Sequence, residues 1–154
     1  MIGFDTHATR RHLPHLQRQG KTYFITATTI DREILSHRSR SVILETCLHD
    51  HAVAYWLHAV VVMPEHMHLI FTPYEEWLLS TIMQRLKGTS AHLINKAEKR
   101  RGPLWLNESF DHILRSDESL SQKVEYVRQN PVRRGLVTVP EDYPWLWTGC
   151  EQTR

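Results

Sequence analysis

Apolar and polar positions change period along the chain, and each change marks an element. The run "KTYFITATTIDR" is β-branched and aromatic, which predicts a strand over about 22–31. In "SVILETCLHDH", Val42, Ile43, Cys47 and Leu48 recur at helical spacing, predicting a helix over about 39–51. "AVAYWLHAVVVM" is almost continuously apolar, as suits a central strand covered on both faces. A tight turn at Pro64-Glu65 joins it to a second strand, "HMHLIFTP". "EEWLLSTIMQRLKGTSAHLINKAEKR" carries a helical pattern over 75–100, with Gly88 as a weak point and Pro103 expected to end it. "FDHILRS" predicts a short strand. "DESLSQKVEYVRQN" predicts a helix with acidic residues in its first turn and Pro131 immediately after its end.

The order β-α-β-β-α-β plus one more helix predicts an α+β fold: a ferredoxin-like split β-α-β with an antiparallel sheet and an additional C-terminal helix. A length of 154 residues suits one domain, 1–154, with its core over about 20–135, a basic N-terminal arm over 1–20 and a tail over 136–154. Hydrophobic residues make up 41% and charged residues 23%, which is ordinary for a soluble globular chain. No apolar run approaches the ~20 residues of a membrane span, and the opening "MIGFDTHATRRHLP" has no apolar signal segment behind its arginines. Cys47 and Cys150 are too few for a disulfide framework or a thiolate metal cage. A cytoplasmic protein with no membrane partner is therefore expected. The net charge of +2 is mild, but basic residues gather at Arg10-Arg11-His12, at Arg38 and Arg40, at Lys96 with Lys99-Arg100-Arg101, and at Arg128 with Arg133-Arg134. One such cluster is ordinarily solvated surface; four in one domain favour a polyanionic partner.

With 11 histidines in 154 residues, about one His-x-His pair is expected by chance, and two occur. On the predicted strand, His66 and His68 project from the same face, at a separation suited to one cation. On the predicted helix, His49 and His51 are turned about 200° from one another and cannot chelate. Met67, Leu69 and Phe71 form the wholly apolar face of the strand and must look into the core, leaving His66, His68 and Ile70 opposite. Two readings of the pair stand: imidazoles bonded to neighbours or water on an open sheet face, or ligands of a metal. Two ligands are too few for a closed structural zinc site, so a metal there would keep open positions, as catalysis or substrate binding requires.

In "EYVRQNP", Tyr126 and Asn130 are one helical turn apart. Leu120, Val124 and Val127 make the apolar stripe of that helix; Tyr126 lies about 125° from its centre, and Asn130 about 85° off on the same side. Tyr126 is thus not a core residue of its own helix, and either a half-buried amphipathic tyrosine or a reactive one fits. Tyr23, Tyr55, Tyr74 and Tyr143 have no metal-ligating side chain one turn away. A tyrosine beside an open metal site suggests phosphoryl transfer by covalent catalysis. A phenol, ordinarily neutral at pH 7, would be activated by the metal site or by nearby Arg128. A phosphotyrosine ester keeps the energy of the broken diester, so a strand can be cut and rejoined without ATP.

"VVMPEHMHLIF" and "YVRQNPVRRGLV" together resemble the HUH single-tyrosine, IS200-like transposases, in particular the REP-associated tyrosine transposases. "RHLPHLQRQGKTYFITATT", "MQRLKGTSAHLIN" and "LWLNESFDHILRSDESL" are similar to further blocks of that group, so the likeness covers roughly 10–147. The resemblance implies Mg²⁺ or Mn²⁺ held by His66 and His68, with Asn130 completing the protein ligands. It implies that Tyr126 attacks single-stranded DNA at imperfect palindromic hairpins, leaving a 5′-phosphotyrosine and a free 3′-hydroxyl. It also implies a bacterial, nucleoid-associated protein acting as a monomer or homodimer. Arg10, Arg11, Arg85, Lys87, Arg128, Arg133 and Arg134 are the candidate DNA contacts, with solvated charge as the alternative. Trp105, Trp145 and Trp147 either stack bases or pack the core and tail. The chain departs from the family in carrying Glu65 where Asn is usual, and Asn130 where related insertion-sequence transposases often have Gln; His112 lies in a family block without an assigned role. The rival functional reading is a non-catalytic hairpin-binding regulator using the same surface, and a remoter one is a structural domain with a surface histidine pair.

Overall fold

The apolar character of the central strands sets the architecture in the computed structural model, which describes residues 20–149. Strands β1 (Thr22–Thr28), β2 (Tyr55–Val62), β3 (His66–Pro73), β4 (Phe110–Leu114) and β5 (Leu146–Thr148) form one sheet in the order β4-β1-β3-β2-β5. Every neighbouring pair is antiparallel. Helices α1 (His37–His49), α2 (Leu79–Glu98) and α3 (Asp117–Arg133) complete the α+β, split β-α-β order with its added C-terminal helix. β5 is a further strand, in the segment expected to be a tail. It pairs with β2 through Val60↔Trp147, while the Tyr143 hydroxyl donates to the buried Val62 carbonyl at 2.7 Å.

Each face of the sheet has its own core. On one face, Met67, Leu69 and Phe71 of β3 join Tyr23 and Ile25 of β1 beneath Ile43 and Cys47 of α1 and Ile82, Leu86 and Ile94 of α2. On the other, Phe24, Ala59, Val61, Met63 and Ile70 meet Val127, with Leu120 and Val124 of α3 packed alongside. Val60, Val61 and Val62 are all fully buried, as expected of a strand covered on both sides.

Helix ends follow local chemistry. The Ser36 and Ser116 hydroxyls accept the Ser39 and Ser119 amides at 3.0 and 3.1 Å, capping α1 and α3. Two expected ends are corrected. α2 runs unbroken through Gly88 and stops at Glu98, before Pro103, because Lys99 turns left-handed (φ 54°) and donates its amide to the Asn95 carbonyl. α3 does not stop before Pro131 but continues to Arg133. Gly135 at φ 74° ends it: the Gly135 amide donates to the Val132 carbonyl and the Leu136 amide to the Pro131 carbonyl, each at 2.9 Å. Pro131 removes one amide in the final turns, where this closure and the burial of Asn130 and Pro131 hold the helix together.

Val127 is the fully buried point by which α3 is seated on the sheet. Val127→Ala should lower unfolding free energy by about 2 kcal/mol, read from the urea midpoint at unchanged slope. An unchanged midpoint would show that α3 is not anchored by this stripe.

Candidate active site

His66 and His68 open β3, paired across β1 with Thr28 and Thr26. Their ring centroids are 4.7 Å apart, so strand spacing alone has brought them side by side. The Nδ1 atom of His68 is hydrogen-bonded to Thr26 Oγ1 at 2.8 Å, and that of His66 to Glu65 Oε2 at 3.3 Å. Such bonds fix ring orientation and leave the Nε2 atoms as the nitrogens for a ligand. Burial, reinforced by the charges of His66, Lys123 and Arg133, pushes His68 down to about 3. Burial also lowers His66, against the raising pull of Glu65. Both rings are therefore neutral at ordinary pH, the protonation state a metal ligand needs.

Tyr126 hangs from α3 over this part of the sheet, 42% exposed. Its ring centroid lies 6.1 Å from that of His68 and 6.2 Å from that of Phe24. The Lys123 ammonium is 4.8 Å from the phenol centroid, and the Arg133 guanidinium 4.3 Å. Arg133 also donates to the Tyr126 carbonyl at 3.0 Å. The charge nearest the phenol ring thus comes from Lys123 and Arg133, a correction to the expectation for Arg128. Arg128 is turned to Glu125 at 3.3 Å and Glu141 at 3.4 Å. Lys123 had no signal of its own in sequence; its position one turn before Tyr126 was the available clue. Asn130, one turn after Tyr126, is 7% exposed.

Glu65 ties these elements together. Its carboxylate accepts from the two terminal nitrogens of Arg134 at 3.1 and 3.3 Å and faces Arg32 at 3.6 Å. Its carbonyl accepts the Thr29 amide at 3.0 Å and hydroxyl at 3.1 Å. Burial opposes the Glu65 charge, but the Arg134 hydrogen bond and the charges of His66 and Arg134 outweigh it and hold the carboxyl below its ordinary range. The turn that presents the histidines is thereby joined to the end of the tyrosine helix.

The remaining candidates are dispersed. Arg10 and Arg11 lie outside the described residues. Arg85 forks onto Asp50 at 3.2 Å with its guanidinium 5.1 Å from the Trp77 ring centroid, and Lys87 donates to the Asn107 carbonyl at 3.0 Å and Ser109 Oγ at 2.9 Å. Both belong to α2, whose core lies on the sheet face opposite Tyr126. Trp105 is buried and donates to Ser90 Oγ at 3.0 Å, and Trp145 donates to Ser41 Oγ at 3.0 Å. Trp147 packs beside His51, whose Nδ1 accepts the Leu57 amide at 3.0 Å. These tryptophans pack the fold. Among the described residues no three His, Cys, Asp or Glu side chains converge as a metal cage. The paired neutral imidazoles suit a divalent ion only if another donor, such as the Asn130 amide oxygen, and open positions complete its shell.

The family model described as "Transposase IS200 like" matches residues 21–130, a span containing Glu65, both histidines, Tyr126 and Asn130. The chain is 26% identical over 142 residues to a provisionally named REP-associated tyrosine transposase of Haemophilus influenzae, covering 82% of this chain and 79% of that protein. It is 26% identical over 135 residues to the REP-associated tyrosine transposase of Escherichia coli K12, covering 82% of this chain and 76% of that protein. A solved REP-associated tyrosine transposase bound to a REP hairpin shares its fold, with a TM-score of 0.71 at 24% identity over 86% of this chain and 78% of that one.

The depressed His68 gives a pH test. Between 6.5 and about 3 the unfolded chain binds a proton there that the folded chain does not, so this contribution is full above 6.5 and is lost as pH falls toward 3. In metal-free protein the thermal midpoint should decline as pH falls from 6.5, and His68→Gln should flatten the decline. An identical decline in the variant would show that His68 takes up its proton within the fold.

Proposed function

Because the chain belongs to the IS200-like transposases and is a DNA-cleaving enzyme, we propose that it nicks and rejoins single-stranded DNA beside palindromic REP-type hairpins, with Tyr126 as nucleophile. The observation that carries this reading is the Tyr126 ring 6.1 Å from the neutral His68 ring, with Lys123 and Arg133 against the phenol. The hairpin partner is carried over from the names of the relatives and from the hairpin-bound neighbour.

The phenol oxygen attacks phosphorus and its proton passes to solvent. The bond from phosphorus to the 3′ oxygen breaks, and that oxygen leaves with the electron pair and takes up a proton. The products are a free 3′-hydroxyl and a 5′-phosphate esterified to Tyr126; attack by a 3′-hydroxyl on that ester rejoins a strand. Mg²⁺ or Mn²⁺, held by His66, His68 and Asn130, would when bound draw charge from the non-bridging oxygens. Lys123 and Arg133 hold positive charge against the Tyr126 ring, where it would favour an approaching phosphate. Thr26 and Glu65 hold the two imidazoles in orientation. Arg134 serves the fold through Glu65, and Arg85 through Asp50, so neither is assigned to this phosphate.

Incubated with a labelled single-stranded hairpin and Mn²⁺, the wild-type chain should form a protein-DNA adduct that survives denaturing electrophoresis. Tyr126→Phe should abolish the adduct with binding retained, since only the nucleophilic oxygen is removed. Adduct formed equally by Tyr126→Phe would assign the wrong tyrosine. His66→Ala should lose cleavage; normal cleavage by that variant with chelator present would remove the metal role. Binding by the wild type with no adduct under any metal would leave a hairpin-binding regulator.

A further inference from the structure

β4 is the edge of the sheet on the β1 side, and its outward residues lie in register with the site. Phe110 is paired with Thr26, which is paired in turn with His68; His112 is paired with Phe24, which is paired with Ile70. Cross-strand partners share a face. Phe110 and His112 therefore extend the face of His68 and Tyr126 to the sheet edge. The aromatic strip is continuous: Phe24 stacks on His68 at 5.2 Å, meets Phe110 edge-on at 6.4 Å, and Phe110 lies 6.5 Å from His112. Phe24 is buried, yet Phe110 is 58% exposed and His112 is exposed as well. The hydrophobic core does not need a phenylalanine held in water there.

We infer that Phe110 and His112 form a stacking platform for an unpaired nucleobase next to the phosphate that Tyr126 attacks. Their planes are only 10° apart, so one flat heterocycle can lie against both, whether over the two rings or between them. Charge complementarity selects a nucleotide over an apolar side chain of a protein partner. The Lys123 ammonium sits 4.6 Å from the Phe24 centroid and 4.8 Å from that of Tyr126, between the strip and the phenol. An apolar plane beside fixed positive charge matches a base tethered to its anionic phosphate, and stacking of this kind tolerates any base. His112, otherwise without a role, and the aromatic at position 110 become parts of one subsite. The placement rests on Tyr126 being the nucleophile, but stacking and cleavage can be tested separately.

The probes are a labelled oligothymidine and an abasic oligomer of the same length, which keeps the phosphates and lacks the bases. Phe110→Ala should weaken oligothymidine binding at least about fivefold, with His112→Ala acting in the same direction, and should leave abasic binding and the thermal midpoint unchanged. Equal weakening on both probes, or none on oligothymidine, would overturn the platform. A dimer in sedimentation that Phe110→Ala splits would also overturn it and give the strip to a second copy of the chain. Covalent adduct formation by the wild type reads the nucleophile independently. Adduct without a thymine-specific effect at Phe110 ends the platform alone; the thymine-specific effect with no adduct ends its placement beside a scissile phosphate.

Discussion

β3 has to serve two cores at once. Its period-two alternation sends Met67, Leu69 and Phe71 under α1 and α2, and Ile70 under α3. A slip of one residue would turn His68 into the first core and a methionine or leucine toward Tyr126, so the cost of misplacing apolar surface fixes where the imidazoles point. The site inherits its geometry from this constraint. Val127 anchors α3 in the second core, and Tyr126, the preceding residue on that helix, is left beside His68.

A second tie limits how α3 can move relative to β3. Glu65, buried at the turn before the histidines, receives a two-pronged grip from Arg134 at the end of α3. Arg134 reaches it from the left-handed closure at Gly135, which follows from sequence chemistry at the helix end. Glu65 is thus a structural joint between the two halves of the site. Its bond to His66 Nδ1 makes it an orienting partner of that ring as well.

Periodicity was enough to read β1 to β4 and the three helices, because both cores depend on it, but not β5, which lies in the segment expected to be a tail. It did not settle the second histidine pair: the helix expected to carry both His49 and His51 ends at His49, and His51 lies beyond it with its Nδ1 accepting the Leu57 amide, so helical rotation is not what separates those two rings. Helix ends were harder, since Lys99 in a left-handed conformation carries no sequence signature, and packing of Asn130 and Pro131 overrode the usual effect of proline. Long-range polar partners were illegible. Nothing in the chain order announces that Thr26 meets His68 or that Arg134 meets Glu65, 69 residues away. For the same reason the basic residues could be found but not sorted: Arg85 and Lys87 proved to lie on the opposite side of the sheet, while Lys123 supplies charge at the phenol.

The central claim is that one divalent ion at His66 and His68 sits within reach of the Tyr126 phenol. The direct measurement is paramagnetic broadening by Mn²⁺ in protein with labelled tyrosine rings. Tyr126 should be the tyrosine whose ring signal is lost at the lowest Mn²⁺, with His66→Ala and His68→Ala each restoring it. Preferential loss of Tyr23, Tyr55, Tyr74 or Tyr143, or loss of Tyr126 that persists in both histidine variants, would contradict the account.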